Sequence, residues 1–383
     1  MDLGYTKEDE AFRAEAREWL AAHVAPYRAV SSNTRDGFAR LREWDRLLFN
    51  AGWSVVSWPR EYGGREASLW QWLIFEEEYW AAGAPQRNSQ NGISLLAPTL
   101  FEFGTDEQRD RILPKMASGE EVWAQGWSEP NAGSDLAGIQ SRAERATDDG
   151  QDGWRLTGQK TWCSRGAFCD RLFGLFRSDP AAERHRGLTY LMADLHADGV
   201  DVRPVRVLDG EEGFAEVFFD GAFVSDADVI GEAHQGWSVA MATASSERGL
   251  TLRSPGRFLA TAERLLDLWR ELGDRSDPVL ADQVTGAWMD AQAYQLFTQW
   301  AVTGIVSGPD RRMGAEASLN KVWWSDLDIS LHEAALALLG DEASLETDWM
   351  RGYEFALAGP IYAGTNEIQR NVIAQRLLGL PRT

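Results

Sequence analysis

The sequence predicts an α+β fold that is mostly α. Apolar residues recur at helical spacing up to about residue 121 and again after about residue 235. Between these positions, short runs rich in Val, Leu and aromatic residues are separated by Gly, Asp and Ser. We therefore expect an N-terminal α-helical domain over 1–121, a middle β domain, barrel or sandwich, over 122–235, and a C-terminal helical bundle over 236–383.

The N-terminal region shows helix starts and apolar periodicity. Thr6 can cap a first helix with Asp9 at the third position, and a second helix can start at Asp36. Residues 53–64 are typical of a loop. Further helix is expected over 68–82 and 89–118.

The middle region is predicted to consist of short strands, because its apolar runs are brief and bounded by turn residues. The helices and strands do not alternate as in a dinucleotide-binding sheet, and no GxGxxG follows a strand. The predicted strands are 121–128, 152–157, 170–177, 187–194, 201–208 and 214–219.

The C-terminal region returns to helical periodicity at about residue 236. Ser254 and Asp277 each precede a proline and can cap a helix. Long helices are expected over 278–304 and 315–339, the second ending at Gly340, and a final helix from about Thr365 to Leu378.

Composition excludes several classes of function. The formal net charge of −21 repels phosphate backbones and anionic lipids, so binding to nucleic acid or a membrane surface is not expected. No apolar run has the length of a spanning helix, and the N-terminus shows no signal features, so a cytoplasmic protein is predicted. The two cysteines and five scattered histidines show no metal-ligand spacing, so no metal site is expected.

Three segments have the residue types of a binding site. Residues 130–134 form a turn of small residues whose N–H groups and the Ser134 hydroxyl suit a pyrophosphate, although a plain polar loop has the same composition. Trp162 and Ser164, two apart on a strand, can flank a flat aromatic cofactor, although Trp162 can equally be a core residue. Gly364 and Thr365 lead into a helix whose free N–H groups can meet an oxygen, although this is also an ordinary helix start.

Together these segments resemble the acyl-CoA dehydrogenase family over essentially the whole chain. The motifs in order are WPREYGG at 58–64, FGTDEQRDRILPKMASGE at 103–120, SEPNAGSD at 128–135, LTGQKTW at 156–162, ERG at 247–249 and YAGTNEIQRNVIAQRLLGLPR at 362–382. The chain is most similar to the subset that acts on steroid or other bulky side-chain thioesters.

The resemblance implies a C-terminal four-helix bundle and FAD held between the β domain and the bundle. It assigns substrate contacts to Ser134, Arg248, Ala363 and Gly364. It assigns cofactor contacts to Gln125, Trp127, Ser128, Gly133, Ser134, Trp162, Ser164, Thr365 and Glu367.

The catalytic base is expected at Glu247. Many relatives place a glutamate immediately before the Gly-Thr of the last motif, where this chain has Ala363, which cannot accept a proton. A minority, including isovaleryl-type enzymes, place it beside an arginine on the helix after the β domain, as in Glu247-Arg248. An ordinary surface Glu-Arg pair is the alternative. The implied reaction is α,β-desaturation of an acyl thioester, in which Glu247 abstracts the α-proton and flavin N5 takes the β-hydride.

Two alternatives are a flavin oxidase or monooxygenase on the same fold and a non-catalytic subunit of a heteromeric acyl-CoA dehydrogenase. The implied partners are acyl-CoA or an acyl-carrier thioester, electron-transferring flavoprotein, and copies of this chain as a dimer or tetramer, or a homologous subunit in a heterotetramer. Arg270 and Gln283 are weak candidates for the adenine half of FAD on a neighbouring subunit, because the family's spacing is not kept there.

Overall fold

The computed structural model describes residues 4–248, 255–274, 277–308 and 314–381, with the side chains of 245–248 left out. Its helices are α1 Lys7–His23, α2 Arg35–Asn50, α3 Leu69–Ala81, α4 Ala97–Phe103, α5 Asp106–Ala117, α6 Gly236–Arg248, α7 Pro255–Leu272, α8 Pro278–Ser307, α9 Glu316–Leu339, α10 Asp348–Leu357 and α11 Asn366–Val372. One π-helical turn, Gly92–Leu96, precedes α4, and another, Ile373–Leu377, follows α11. The α+β, mostly helical fold predicted from the sequence is confirmed.

The predicted helix starts are largely confirmed. Thr6 and Asp9 form the expected capping box on α1, and Asp277 caps α8 through the N–H groups of Val279 and Leu280. The start of α2 was predicted one residue late: Thr34 caps it by accepting from the Gly37 N–H. Ser254 lies outside the described residues.

One eight-stranded sheet forms the middle of the chain. Its strands are β1 Trp123–Gly126, β2 Arg142–Asp148, β3 Gln151–Ser164, β4 Arg171–Arg177, β5 Leu188–Asp194, β6 Val200–Val205, β7 Phe214–Ser225 and β8 Val229–Ile230. They are ordered β6-β7-β3-β2-β4-β5-β8, with β1 paired parallel to β4. Most neighbours are antiparallel. The core of the sheet contains Trp154, Leu156, Phe176 and Val217.

The chain divides into two compact units. We call one the helical unit, comprising Met1–Arg28, Ala67–Ala84 and Arg248–Thr383. The other, the sheet unit, comprises Ala29–Glu66 and Pro85–Glu247. The helices α1 and α3 thus belong with the C-terminal helices, whereas α2, α4 and α5 belong with the strands. The three domain boundaries predicted from the sequence stay a prediction.

Candidate active site

The loop after β1 makes a tight turn. Glu129 and Ala132 exchange backbone hydrogen bonds of 3.0 Å in both directions, which leaves Pro130 and Asn131 exposed at the tip. Ser134 is exposed, and a Cβ added to Gly133 would meet no atom within 4 Å. The small residues of the loop therefore leave open space at Gly133 and an exposed side chain at Ser134.

Two side chains near this loop carry buried polar atoms without a protein partner. These are the Gln125 amide nitrogen and the Trp127 indole nitrogen, neither of which has a hydrogen-bond partner among the described residues. An unsatisfied buried donor is costly, so such groups in native proteins normally meet a ligand or water. Both residues were assigned to the cofactor by the family resemblance.

Strand β3 contains a bulge at the predicted cofactor wall. Trp162 has a φ of 58° and its side chain is 60% exposed, so it is not the core tryptophan of the alternative interpretation. It was expected on an extended strand, but the bulge interrupts the strand there. Buried Cys163 separates exposed Trp162 from half-buried Ser164. Burial raises the pKa of the Cys163 thiol to about 12, so the thiol is not reactive near neutral pH.

The loop and the bulge are joined directly. The Thr161 N–H donates to the Ser128 carbonyl at 2.9 Å. The structure therefore brings together two of the three predicted segments within the sheet unit, with Trp162 next to the bonded pair.

The third segment, the turn before α11, lies in the helical unit. Ala363 and Gly364 have φ values of 57° and 77°, a left-handed turn that is unusual for alanine. The Gln369 amide nitrogen donates to the carbonyls of both residues, at 3.0 and 3.3 Å. A side chain on Gly364 would collide with that amide, at 2.4 Å. Gln369 therefore holds this turn in place.

Two predicted cofactor residues begin α11. The Thr365 hydroxyl caps the helix by accepting from the Ile368 N–H at 3.3 Å. Glu367 is exposed, and hydrogen bonds from its own backbone N–H and from Thr365 lower its pKa. Both side chains thus stabilise the start of the helix in the described structure.

The predicted base and its neighbouring arginine lie at the end of α6, whose last residue is Arg248. The side chains of Glu247 and Arg248 lie outside the described residues. One turn earlier, the Thr243 hydroxyl is fully buried and hydrogen-bonds Thr99 at 2.7 Å and the Tyr190 hydroxyl at 3.3 Å. These contacts fix α6 to α4 and β5 about one turn before its end.

Sequence reasoning missed Glu129 and Lys160, which lie inside the quoted motifs and form a buried ion pair of 2.7 Å. A signal was available: Trp154, Leu156 and Lys160 share one face of β3, and the first two are apolar. Strict alternation along the strand would have placed Lys160 on the buried face.

The weak candidates for the adenine end of FAD lie in the helical unit. Arg270 pairs with Asp267 on its own helix at 2.6 Å. Gln283 lines a groove of about 650 Å³ between α8 and α9, together with Gly286, Met289, Ser330 and other residues. Neither the ion pair of Arg270 nor the position of Gln283 in the groove assigns a cofactor role to these residues.

Comparison with known proteins identifies the family. The model of the acyl-CoA dehydrogenase N-terminal domain matches residues 6–120, that of the middle domain 124–222 and that of the C-terminal domain 234–378. The chain belongs to the acyl-CoA dehydrogenase family. This family consists of flavoproteins, and the expected enzyme class, an acyl-CoA dehydrogenase, is confirmed.

Similar proteins align with almost the whole length of this dehydrogenase. Acyl-CoA dehydrogenase IpdE1 of Mycolicibacterium smegmatis is 37% identical over 98% of both chains. Acyl-CoA dehydrogenase FadE26 of Mycobacterium tuberculosis is 31% identical over 100% of this chain and 99% of its own. The solved structure of the Tcur3481-Tcur3483 steroid ACAD superposes with a TM-score of 0.87, at 27% identity and 100% coverage of both chains. The resemblance to the steroid-acting subset is therefore confirmed.

The described residues contain neither a helix that could span a membrane nor a group of metal ligands. None of the helices within the described ranges combines the length and hydropathy that a membrane span requires. The described His, Cys, Asp and Glu side chains form no group of three that could hold a metal ion.

Proposed function

We propose that this dehydrogenase catalyses FAD-dependent α,β-desaturation of acyl-CoA thioesters with a steroid side chain or a similarly bulky acyl group. The observation that supports this most strongly is the bond between Thr161 and Ser128, which joins the two flavin-motif segments beside an exposed Trp162. A core tryptophan would be buried, whereas this indole is exposed on a strained bulge. Such an indole suits a wall that a flat ligand covers.

The residues present fit FAD. The unpartnered Gln125 and Trp127 nitrogens are donors for the flavin ring edge or the phosphates, and the open loop at Gly133 and Ser134 leaves room for a pyrophosphate. When bound, the flavin supplies an acceptor for the β-hydrogen, which leaves the substrate as a hydride.

The chain's own residues supply the acid–base chemistry. Glu247 removes the α-proton, since Ala363 cannot, and the backbone N–H of residue 363 donates to the thioester carbonyl, a contact that needs no side chain. The left-handed turn at Ala363 and Gly364, held by Gln369, supports a fixed direction for that N–H. Exclusion of water by the thioester would raise the pKa of a carboxylate toward the range that a base needs.

The substrate class rests on the relatives. The Tcur3481-Tcur3483 structure is titled a steroid ACAD, and a second similar structure, the ChsE4-ChsE5 complex from Mycobacterium tuberculosis, has a TM-score of 0.85 at 28% identity. Both titles pair two different chains. We therefore propose a homo-oligomer or a heterotetramer with a homologous subunit for this chain, with electron-transferring flavoprotein as acceptor, in the cytoplasm.

Anaerobic titration of the purified protein tests this function. The protein should carry a flavin spectrum, and a CoA thioester with a steroid-sized acyl group should bleach it, whereas butyryl-CoA should do so much more slowly. The same acyl group on an acyl-carrier protein serves as the carrier control. A protein without flavin when expressed alone and with a homologous subunit, or a flavin that no thioester bleaches, would refute the proposal.

A further inference from the structure

A buried ion pair lies beneath the two flavin-motif segments. Lys160 is fully buried, and its ammonium group donates to the Glu129 carboxylate and to the Leu175 carbonyl, each at 2.7 Å. Glu129 also accepts the N–H groups of Gln140 at 2.6 Å and Ser141 at 3.0 Å. The carboxylate therefore ties together the loop after β1, the segment before β2 and strand β3.

This pair lies next to the β3 bulge. Lys160 pairs with Val217 and Cys163 with Ala215, so Thr161 and Trp162 together oppose the single residue Glu216. The bulge removes Thr161 from the ladder, and its N–H donates to Ser128 instead. The positive φ of Trp162 is unfavourable for a residue with a side chain and persists only when the surroundings fix it.

A stabilising role alone explains the pair poorly. Desolvation of two charges offsets most of their attraction, so an apolar pair of similar size is often as stable. What an apolar pair cannot supply is a fixed connection between Glu129, which follows Ser128, and Lys160, which precedes Thr161 and Trp162.

We propose that Glu129 and Lys160 are positioning residues for the cofactor. The pair holds the Ser128 loop and the Trp162 bulge in one register, so that the cofactor site is formed before FAD arrives. This inference rests on the proposed function.

The variants Lys160→Met, Glu129→Gln and the double variant test it in apoprotein that is titrated with FAD. Each single variant leaves a buried charge without its opposite charge and should raise the FAD dissociation constant about tenfold or more. In the double variant the unpaired charge is gone, so the unfolding temperature should return toward that of wild type while FAD binding stays weak. Val224→Ala, a buried truncation in the same sheet, is the control and should lower stability without weakening FAD binding.

A second readout needs no cofactor. Hydrogen exchange at the Thr161 amide should be at least about tenfold faster in Glu129→Gln apoprotein than in wild type, because its bond to Ser128 is no longer held. Parallel recovery of stability and FAD affinity in the double variant, or unchanged Thr161 exchange, would overturn the positioning role. A wild-type protein that binds no FAD would refute the proposed function instead, and the Thr161 exchange would still decide the role of the pair.

Discussion

At the scale of single residues, Asp45 is a buried carboxyl group whose pKa is raised well above its usual value. It lies on α2 and is 1% exposed. Burial raises its pKa to about 7, against the opposing effects of Arg87 and the Ser89 N–H. Gly119 packs against it, since a Cβ there would come within 2.9 Å of the Asp45 side chain. The folded protein therefore favours the neutral acid.

Asp45 should make stability depend on pH. The folded pKa of about 7 exceeds the unfolded value of about 3.9, so the contribution is complete below about pH 4 and is lost as the pH rises through 7. Asp45→Asn should therefore unfold about 2 °C or more above wild type at about pH 8, with the difference shrinking toward pH 4. Thermal unfolding across this range measures it. Glu43→Gln, exposed on the same helix, should show no such trend.

The sequence identifies residue types at this scale but seldom their burial. Ser128, Ser134 and Trp162 were found because motif spacing names them, whereas Asp45 looks like any helical aspartate. Its environment depends on Arg87 and Ser89, which are more than forty positions away in the chain. The Ser89 N–H that donates to Asp45, for example, lies 44 positions further along. Long-range contacts of this kind leave no local signal.

At the scale of elements, α6 connects the sheet unit to the predicted base. Thr243 on α6 hydrogen-bonds Thr99 on α4 and Tyr190 on β5, and all three side chains are buried. Residues four apart lie on one face of a helix, so Thr243 is on the face that carries Glu247. The hydroxyl contacts therefore set the position of that face.

Thr243→Val should shift the position of the proposed base, Glu247, without removing its carboxylate. Valine has the shape of threonine but leaves Thr99 and Tyr190 without their shared partner. We expect kcat to fall about tenfold, as a small misplacement of a catalytic group does, with FAD content unchanged. Thr261→Val on α7 is a matched control, a buried threonine that bonds its own helix at Arg257. Equal kcat values for the two variants and wild type would contradict this role of α6.

Strand β2 and helix α10 were absent from the sequence prediction for physical reasons. Strand β2 is RAERATD, mostly exposed and charged, so it lacks the apolar alternation that indicates a strand. It forms because β3 pairs with its whole length. Helix α10 buries only Ala356 fully and therefore shows little of a core-facing stripe.

At the scale of the whole molecule, α8 shows a stripe that the helical unit does not bury. Its members recur at alternating steps of three and four residues, the spacing of a helix that packs along a partner helix. Four of them are large, apolar and exposed. The stripe consists of Val279, Asp282, Gly286, Met289, Ala293, Leu296 and Trp300, with exposures of 63%, 58%, 48% and 43% for Val279, Met289, Leu296 and Trp300.

This stripe should be a subunit contact. Trp323 and Trp324 on α9 pack within the helical unit, so the predicted contact rests on the α8 stripe. Wild type should sediment as a dimer or tetramer, and Leu296→Asp should dissociate it, because a charge would be buried there. Val306→Asp, exposed but off the stripe, should sediment like wild type. A monomeric wild type at micromolar concentration would contradict the prediction.

The order of helices, strands and helices could be predicted from periodicity because each region keeps its own period over many residues. The division into two units could not. Helices α1 and α3 belong with residues more than 150 positions away, as the 2.8 Å bond between Gln295 and Glu77 at a separation of 218 illustrates. Only packing contacts carry that information.

Anaerobic reduction of the bound flavin by an acyl-CoA, compared in wild type and Glu247→Gln, tests the proposed chemistry most directly. Glutamine keeps the size and polarity of glutamate but cannot accept the α-proton. The reduction rate should fall by about 10²–10⁴-fold, with FAD content and thioester binding retained. Glu232→Gln, a neighbouring exposed glutamate, should reduce as fast as wild type. A Glu247→Gln protein that keeps more than about a tenth of the wild-type rate would show that Glu247 is not the base.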